Sequence, residues 1–173
     1  MGIIMRLIGL LLWIFAAWRW SDWRNWKMYH STMLYMMIFA LLYEVLTYNY
    51  SLWIFKATLI PTHTLNSLLV TFITFPCLVL LFLSNFPEDV TTKKILHIIF
   101  WIVLYSLVEY FYHVVGLFKY NHGWTYGYSI LFNCIMFPML LLHHKKPLLA
   151  YFLSIPIAIF YLIIFNVPID KMK

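Results

Sequence analysis

Six stretches of this chain are each long and apolar enough to enter a bilayer, and that pattern limits the fold more than any other feature. They run roughly from Ile3 to Trp18, Thr32 to Tyr50, Asn66 to Leu83, Ile95 to Phe118, Tyr126 to Leu142 and Leu148 to Val167. Crossing about 30 Å of hydrocarbon takes close to 20 helical residues at about 1.5 Å each. Lipid offers no partner to a backbone amide, so continuous apolar runs are expected to be helices. A transmembrane barrel would show alternating apolar and polar positions instead. The expected fold is an all-α, polytopic transmembrane bundle of about six spans (five if the first is not counted), built as a single integral-membrane domain over residues 1–173.

Only 10% of the residues are charged, against about a quarter in soluble domains, and the apolar stretches leave no room for a separate soluble domain. The net charge of +6 is scattered over short connectors without a long basic run. Anionic lipid headgroups fit that pattern, and nucleic acid does not. Cys77 and Cys134 fall inside apolar stretches and no Cys-x-x-Cys occurs, so both read as small core residues rather than zinc ligands. The first stretch ends in Ala16-Ala17, like a signal peptide. Arg19, Arg24 and Lys27 after it outweigh Arg6 before it, which predicts a helix that is kept.

The connectors divide the basic residues between the two sides. Arg19, Arg24, Lys27, Lys93, Lys94, Lys145 and Lys146 lie on one side; Arg6, Lys56, Lys119, Lys171 and Lys173 lie on the other. The positive-inside rule places the first group in the cytoplasm and both termini outside. Arg19, Trp20, Trp23, Arg24, Trp26, Lys27, Lys145 and Lys146 are expected at the lipid interface, where rings sit at headgroup level and long cations reach phosphates. His143-His144-Lys145-Lys146 reads as a basic turn on that same face.

An internal repeat is also expected, of two-helix units over 32–87 and 95–147. Each unit has a glutamate in its first helix (Glu44, Glu109), a lysine in the connector (Lys56, Lys119) and a histidine before the second helix (His63, His122). Each second helix carries Phe-Pro at depth, Phe75-Pro76 or Phe137-Pro138. Repeats of two helices run in the same direction. Pro76 and Pro138 are expected to kink their helices.

The chemistry should gather on one face. An ionisable group at the centre of a membrane helix costs about 2.5–3.5 kcal/mol on insertion scales, so Glu44 and Glu109 need partners or a role. The topology brings Glu44, Tyr48, His63, Asn66, Glu109, His113, His122 and Asn133 to the same end of the bundle, which predicts a one-sided polar pocket. Glu109 and His113 are four apart and share a helix face. They are the candidate acid and base and, with His122, the candidate metal ligands; no known metal signature is present, and no cofactor is predicted. No P-loop, nucleotide fingerprint or hydrolase motif occurs.

Leu41-Leu42-Tyr43-Glu44, Leu46-Thr47-Tyr48-Asn49-Tyr50, Pro61-Thr62-His63-Thr64, Phe75-Pro76-Cys77, Phe132-Asn133 and Phe137-Pro138 resemble a family of uncharacterised hydrophobic multi-pass proteins from spore-forming Bacillus and Clostridium relatives, over roughly residues 30 to 150. The resemblance implies a bacterial plasma-membrane location and lends no catalytic residue. A shallower likeness to carotenoid cyclase subunits lacks their paired carboxylates, since Met139 and Leu140 follow Pro138. The leading expectation is a non-enzymatic membrane protein, tied to the envelope or to sporulation, that binds or passes a small polar solute or proton. The alternatives are a small intramembrane enzyme acting on a lipid or isoprenoid, and an assembly subunit. The expected partners are membrane lipids and either a protein partner or a second copy of the chain.

Overall fold

A computed structural model describes residues 2–56 and 63–168, together with 170 and 172. Within that range the chain is all-α apart from one short ribbon. The elements are α1 (Gly2–Trp20), a 3₁₀ turn (Trp23–Met28), α2 (His30–Leu46), β1 (Trp53–Phe55), α3 (His63–Leu69), a π turn (Val70–Thr74), α4 (Phe75–Ser84), α5 (Thr91–Val114), β2 (Phe118–Tyr120), α6 (Tyr126–Lys145) and α7 (Pro147–Ile164). α3, the π turn and α4 are continuous and make one rod. Four helices among the described residues are long and apolar enough to cross a membrane: Thr64–Ser84, Thr91–Val114, Tyr126–Lys145 and Pro147–Ile164.

The rod of α3 and α4 is the hub. Half of its apolar window is buried inside the bundle, against 11% for α5 and for α7. Leu78, Val79, Leu80, Leu81, Phe82 and Leu83 are buried on every side of α4. A helix that is apolar all round can be central in this way. α1 and α2 pack on it, while α6 bridges α5 and α7. Phe82 and Phe137 meet edge to face at 5.1 Å in the middle of the core.

Pro76 is accommodated by the turn before it. Proline has no amide to donate, and its ring crowds the carbonyl four residues back; the π turn over Val70–Thr74 widens the helix there. Pro138 sits inside a continuous α6, with its ring on an exposed position.

α2 ends at Leu46, four residues before the expected limit. Thr47 leaves helical geometry at φ −113°, and its hydroxyl donates back to the Tyr43 carbonyl at 2.8 Å. Such local bonding of threonine competes with helix propagation.

The connectors after α2 and after α5 pair with each other as an antiparallel ribbon. Trp53, Ile54 and Phe55 pair with Tyr120, Lys119 and Phe118. Asn121 N–H donates to the Leu52 carbonyl at 2.8 Å and Lys56 N–H to the Leu117 carbonyl at 3.0 Å. Buried main-chain groups need partners, and two extended connectors on the same face supply them to each other. Ile60 and the rest of 57–62 lie outside the described residues, as do Lys171 and Lys173.

The topology makes two ends. The ribbon end carries the start of α1, the end of α2, the start of α3, the end of α5 and the start of α6. The opposite end carries Trp20, the 3₁₀ turn and the α6–α7 turn. There Trp20, Trp23 and Trp26 are exposed, Arg24 lies over Trp23, and Lys145 lies over Phe86. Arg19, Lys27 and Lys146 are exposed alongside.

Candidate functional site

Just inside the ribbon end lies a cavity of about 110 Å³, bounded by α1, α5, α6, the π turn and both strands. A cationic side chain, Arg6, and an acidic one, Glu109, both line it. Arg6 is only 3% exposed. Its Nη1 donates to Asn66 Oδ1 at 3.1 Å and its Nη2 to the Leu117 carbonyl at 3.1 Å. Its Nε–H is buried and finds no partner among the described residues. The guanidinium also lies 5.7 Å from the centre of the Phe55 ring.

Glu109 is held by different groups. The Tyr120 hydroxyl donates to its Oε1 at 2.8 Å, and Ser129 lines the cavity beside it. Ser129 Oγ in turn accepts from Trp124 Nε1 at 2.8 Å. Tyr120 stands in the ribbon, outside the helices. Burial first, and then its bond to Glu109, push the phenol well above its ordinary value near 10. It therefore stays protonated and serves as a donor. Asn133, 1% exposed, completes the polar lining, with its Nδ2 donating to Ser106 Oγ at 3.1 Å.

The residues expected in one pocket are thus divided. Glu109 and Asn133 do line the cavity, and Asn66 is joined to it as the acceptor of Arg6. His113 sits one turn beyond Glu109, but its Nδ1 bonds the Phe118 carbonyl at 3.2 Å. A carbonyl only accepts, so that nitrogen carries the proton. Its ring lies 4.6 Å from that of Tyr120, the phenol that bonds Glu109. His122 is on the outside, at φ 49°, stacked on Tyr50 at 3.7 Å and bonded to the Ser51 carbonyl. The expected cluster of Glu109, His113 and His122 is therefore not assembled: no three His, Cys, Asp or Glu side chains come together among the described residues. The ribbon explains this, because it spends both imidazoles on main-chain carbonyls. Tyr48 is 42% exposed. α3 begins at His63, whose side chain lies outside the described set.

Glu44 lines a second cavity, of about 200 Å³, between α2, the α3–α4 rod, α6 and α7. The two cavities share Trp53, Phe75, Trp124 and Phe132 as a dividing wall.

No family model matches this chain, and neither a curated protein nor a solved structure does. The geometry alone must carry the functional reading.

Two features escaped the sequence reading. Arg6 is the sole charge in the first apolar stretch, and the cost that singled out the two glutamates applies to it equally. That signal was available. The other is His143, expected in a basic turn at the headgroup face. It is 2% exposed, its Nδ1 meets Thr32 Oγ1 at 3.0 Å, and its ring stacks on Tyr35 at 4.2 Å. It occupies the inner face of the last turn of α6, whereas Lys145 and Lys146 face outward. No local pattern in His-His-Lys-Lys distinguishes the inner histidine from the outer.

Proposed function

We propose that this chain is a six-pass plasma-membrane protein of a bacterium whose chamber beneath the ribbon binds a small dipolar group, without catalysing a reaction. Besides the four long apolar helices, α1 with 19 residues and α2 with 17 reach about 28 and 26 Å at 1.5 Å per residue, close to the hydrocarbon thickness. The basic residues at the end opposite the ribbon favour a cytoplasmic position for it, with the ribbon outside.

One observation carries the reading of the chamber. Arg6 and Glu109 line the same small cavity, and each is held by neutral partners. Two opposite charges in a low-dielectric site are best completed by a ligand carrying the opposite pair, because a lone buried charge is costly. An anionic group meets the guanidinium, and an ammonium meets the carboxylate. An acid–base enzyme would need a partner on Glu109 that gains and loses a proton near neutrality; the Tyr120 phenol that bonds it is held protonated, and His113 is engaged with Phe118. The test is equilibrium binding of O-phosphoethanolamine to the purified protein. Saturable binding that weakens in both Arg6→Gln and Glu109→Gln supports the reading. Binding unchanged by either substitution removes it.

We also propose that 32–87 and 95–147 arose as a repeat. Setting Phe75-Pro76 on Phe137-Pro138 places Ser67, Thr71 and Leu78 on Ser129, Asn133 and Leu140, and all six are buried. Setting Lys56 on Lys119 places Phe55 on Phe118, and those two residues face each other in the ribbon. Antiparallel pairing of equivalent connectors is what a two-fold axis along the membrane normal produces. Each glutamate then lines a cavity beside the matching polar pair of its own unit: Glu44 with Ser67 and Thr71, Glu109 with Ser129 and Asn133. α1 lies outside both units, and among the described residues it alone brings a cation to one cavity.

A further inference from the structure

A groove of about 960 Å³ runs between α1 and α5. On α1 its lining extends from Met5 to Trp20, which spans about 22 Å of helix at 1.5 Å per residue. The lining is apolar almost throughout, apart from Asn85 and His97 near Trp20. The charged chamber and this groove share a wall, since Trp13, Val108 and Tyr112 line both.

We propose that the dipolar group of the chamber is the head of a glycerophospholipid bearing a primary amine, entering sideways from the bilayer with its acyl chain in the groove. The proposal rests on the reading of the chamber given above. Depth is the first support. Arg6 lies four residues inside the start of α1 and Glu109 five residues before the end of α5, so both sit about 6–8 Å in from the helix ends. That is where the polar part of a lipid meets its chains, and the groove continues from there towards the opposite end.

The wall is the second support. Gly9 has no side chain, and the Tyr112 hydroxyl occupies the space where one would begin. The partition between chamber and groove is therefore the tip of a rotatable ring against a bare backbone, and a ring can swing without moving a helix.

Head chemistry narrows the class. The Arg6 Nε–H, buried and without a described partner, suits a phosphate oxygen. Glu109 opposes a head that is only anionic and favours one with an ammonium to donate. A quaternary amine has no N–H to give to the carboxylate.

The experiment is native mass spectrometry of the delipidated protein titrated with phosphatidylethanolamine, phosphatidylglycerol or phosphatidylcholine, alongside O-phosphoethanolamine binding. Circular dichroism confirms that each variant keeps its helices. Expected is at least tenfold preference for phosphatidylethanolamine. Glu109→Gln should abolish the preference, and Arg6→Gln should weaken the ethanolamine and glycerol lipids alike. Leu12→Trp, which narrows the groove at a residue that does not line the chamber and leaves both charges, should lower lipid binding at least tenfold while O-phosphoethanolamine binding persists. Equal binding of the three lipids, or Leu12→Trp binding lipid like the parent, overturns the lipid assignment. If O-phosphoethanolamine still binds in a manner dependent on Arg6 and Glu109, the chamber reading stands without it. If neither lipid nor O-phosphoethanolamine responds to those residues, both fall.

Discussion

Tyr120 and Glu109 join the ribbon to the bundle: the phenol of one donates across 2.8 Å to the carboxyl of the other. Tyr120 sits in a strand and Glu109 in a helix, so this bond fixes the roof of the chamber to its wall. A hydrogen bond to a charged group contributes about 1.5–3 kcal/mol. Tyr120→Phe is expected to cost about that much in reversible unfolding in detergent. Glu109→Gln should cost less, because the amide oxygen still accepts from Tyr120 and no charge is then held in low dielectric. The reverse order of the two variants would show that the carboxyl is held by something other than the phenol.

The same bond sets a pH dependence. Tyr120 is raised above its ordinary value by burial and by the adjacent carboxyl, so the folded state favours the protonated phenol. Its contribution to stability is complete below pH about 10, where an unfolded tyrosine begins to ionise, and is lost as the pH rises beyond that through the higher folded value. Absorbance of tyrosinate near 295 nm should therefore be the same for the parent protein and Tyr120→Phe at pH 11. A deficit in the variant would mean that Tyr120 titrates normally.

Arg6 is expected to matter for folding apart from any ligand. It supplies the described donors to Asn66 Oδ1 and to the Leu117 carbonyl, and so ties α1 to α3 and to the loop after α5. In Arg6→Met those acceptors lose that donor at about 1–3 kcal/mol for a buried group. Arg6→Lys should recover part of the loss, since a compact ammonium lacks the planar fork that spans two acceptors. Thermal unfolding of the three proteins in one detergent should rank arginine above lysine above methionine. A methionine variant as stable as the parent would remove Arg6 from the account of the fold.

Much of this was legible from residue order. Continuous apolar length marked the helices, and the alternating topology put Asn66, Glu109 and Asn133 at one end. The partners of individual side chains were not legible. His113 and His122 look like companions of Glu109 by spacing, yet each bonds a carbonyl in or beside the ribbon. The ribbon itself leaves no signature. Its strands are three residues each, with paired residues 63 positions or more apart, and only tertiary proximity pairs them. Long-range pairing of short segments carries almost no local propensity signal. Pro76 shows the same limit. Its missing amide demanded an irregularity, but whether the helix would bend or widen into a π turn depended on the packing around Val70–Thr74.

The ribbon is held to the bundle at a second point by Tyr43 at the end of α2. Its hydroxyl donates to the Trp53 carbonyl at 2.9 Å and accepts from the Trp53 N–H at 2.8 Å, while the two rings stack at 3.9 Å and 5°. One side chain thus takes both main-chain groups of the first strand residue, as a neighbouring strand would. Tyr43→Phe preserves the stack and removes both bonds, leaving a part-buried amide and carbonyl to find water. The expected cost is about 1–2 kcal/mol, near that of two ordinary net hydrogen bonds. The loss should be local, because the ladder to β2 and the stack persist. Hydrogen exchange should then speed up at Trp53 and at its strand neighbours Ile54 and Phe55, with α4 amides unchanged. Uniform acceleration through α4 would mean that Tyr43 supports the whole bundle, and no acceleration at Trp53 would mean that its amide is protected by the stacked rings alone.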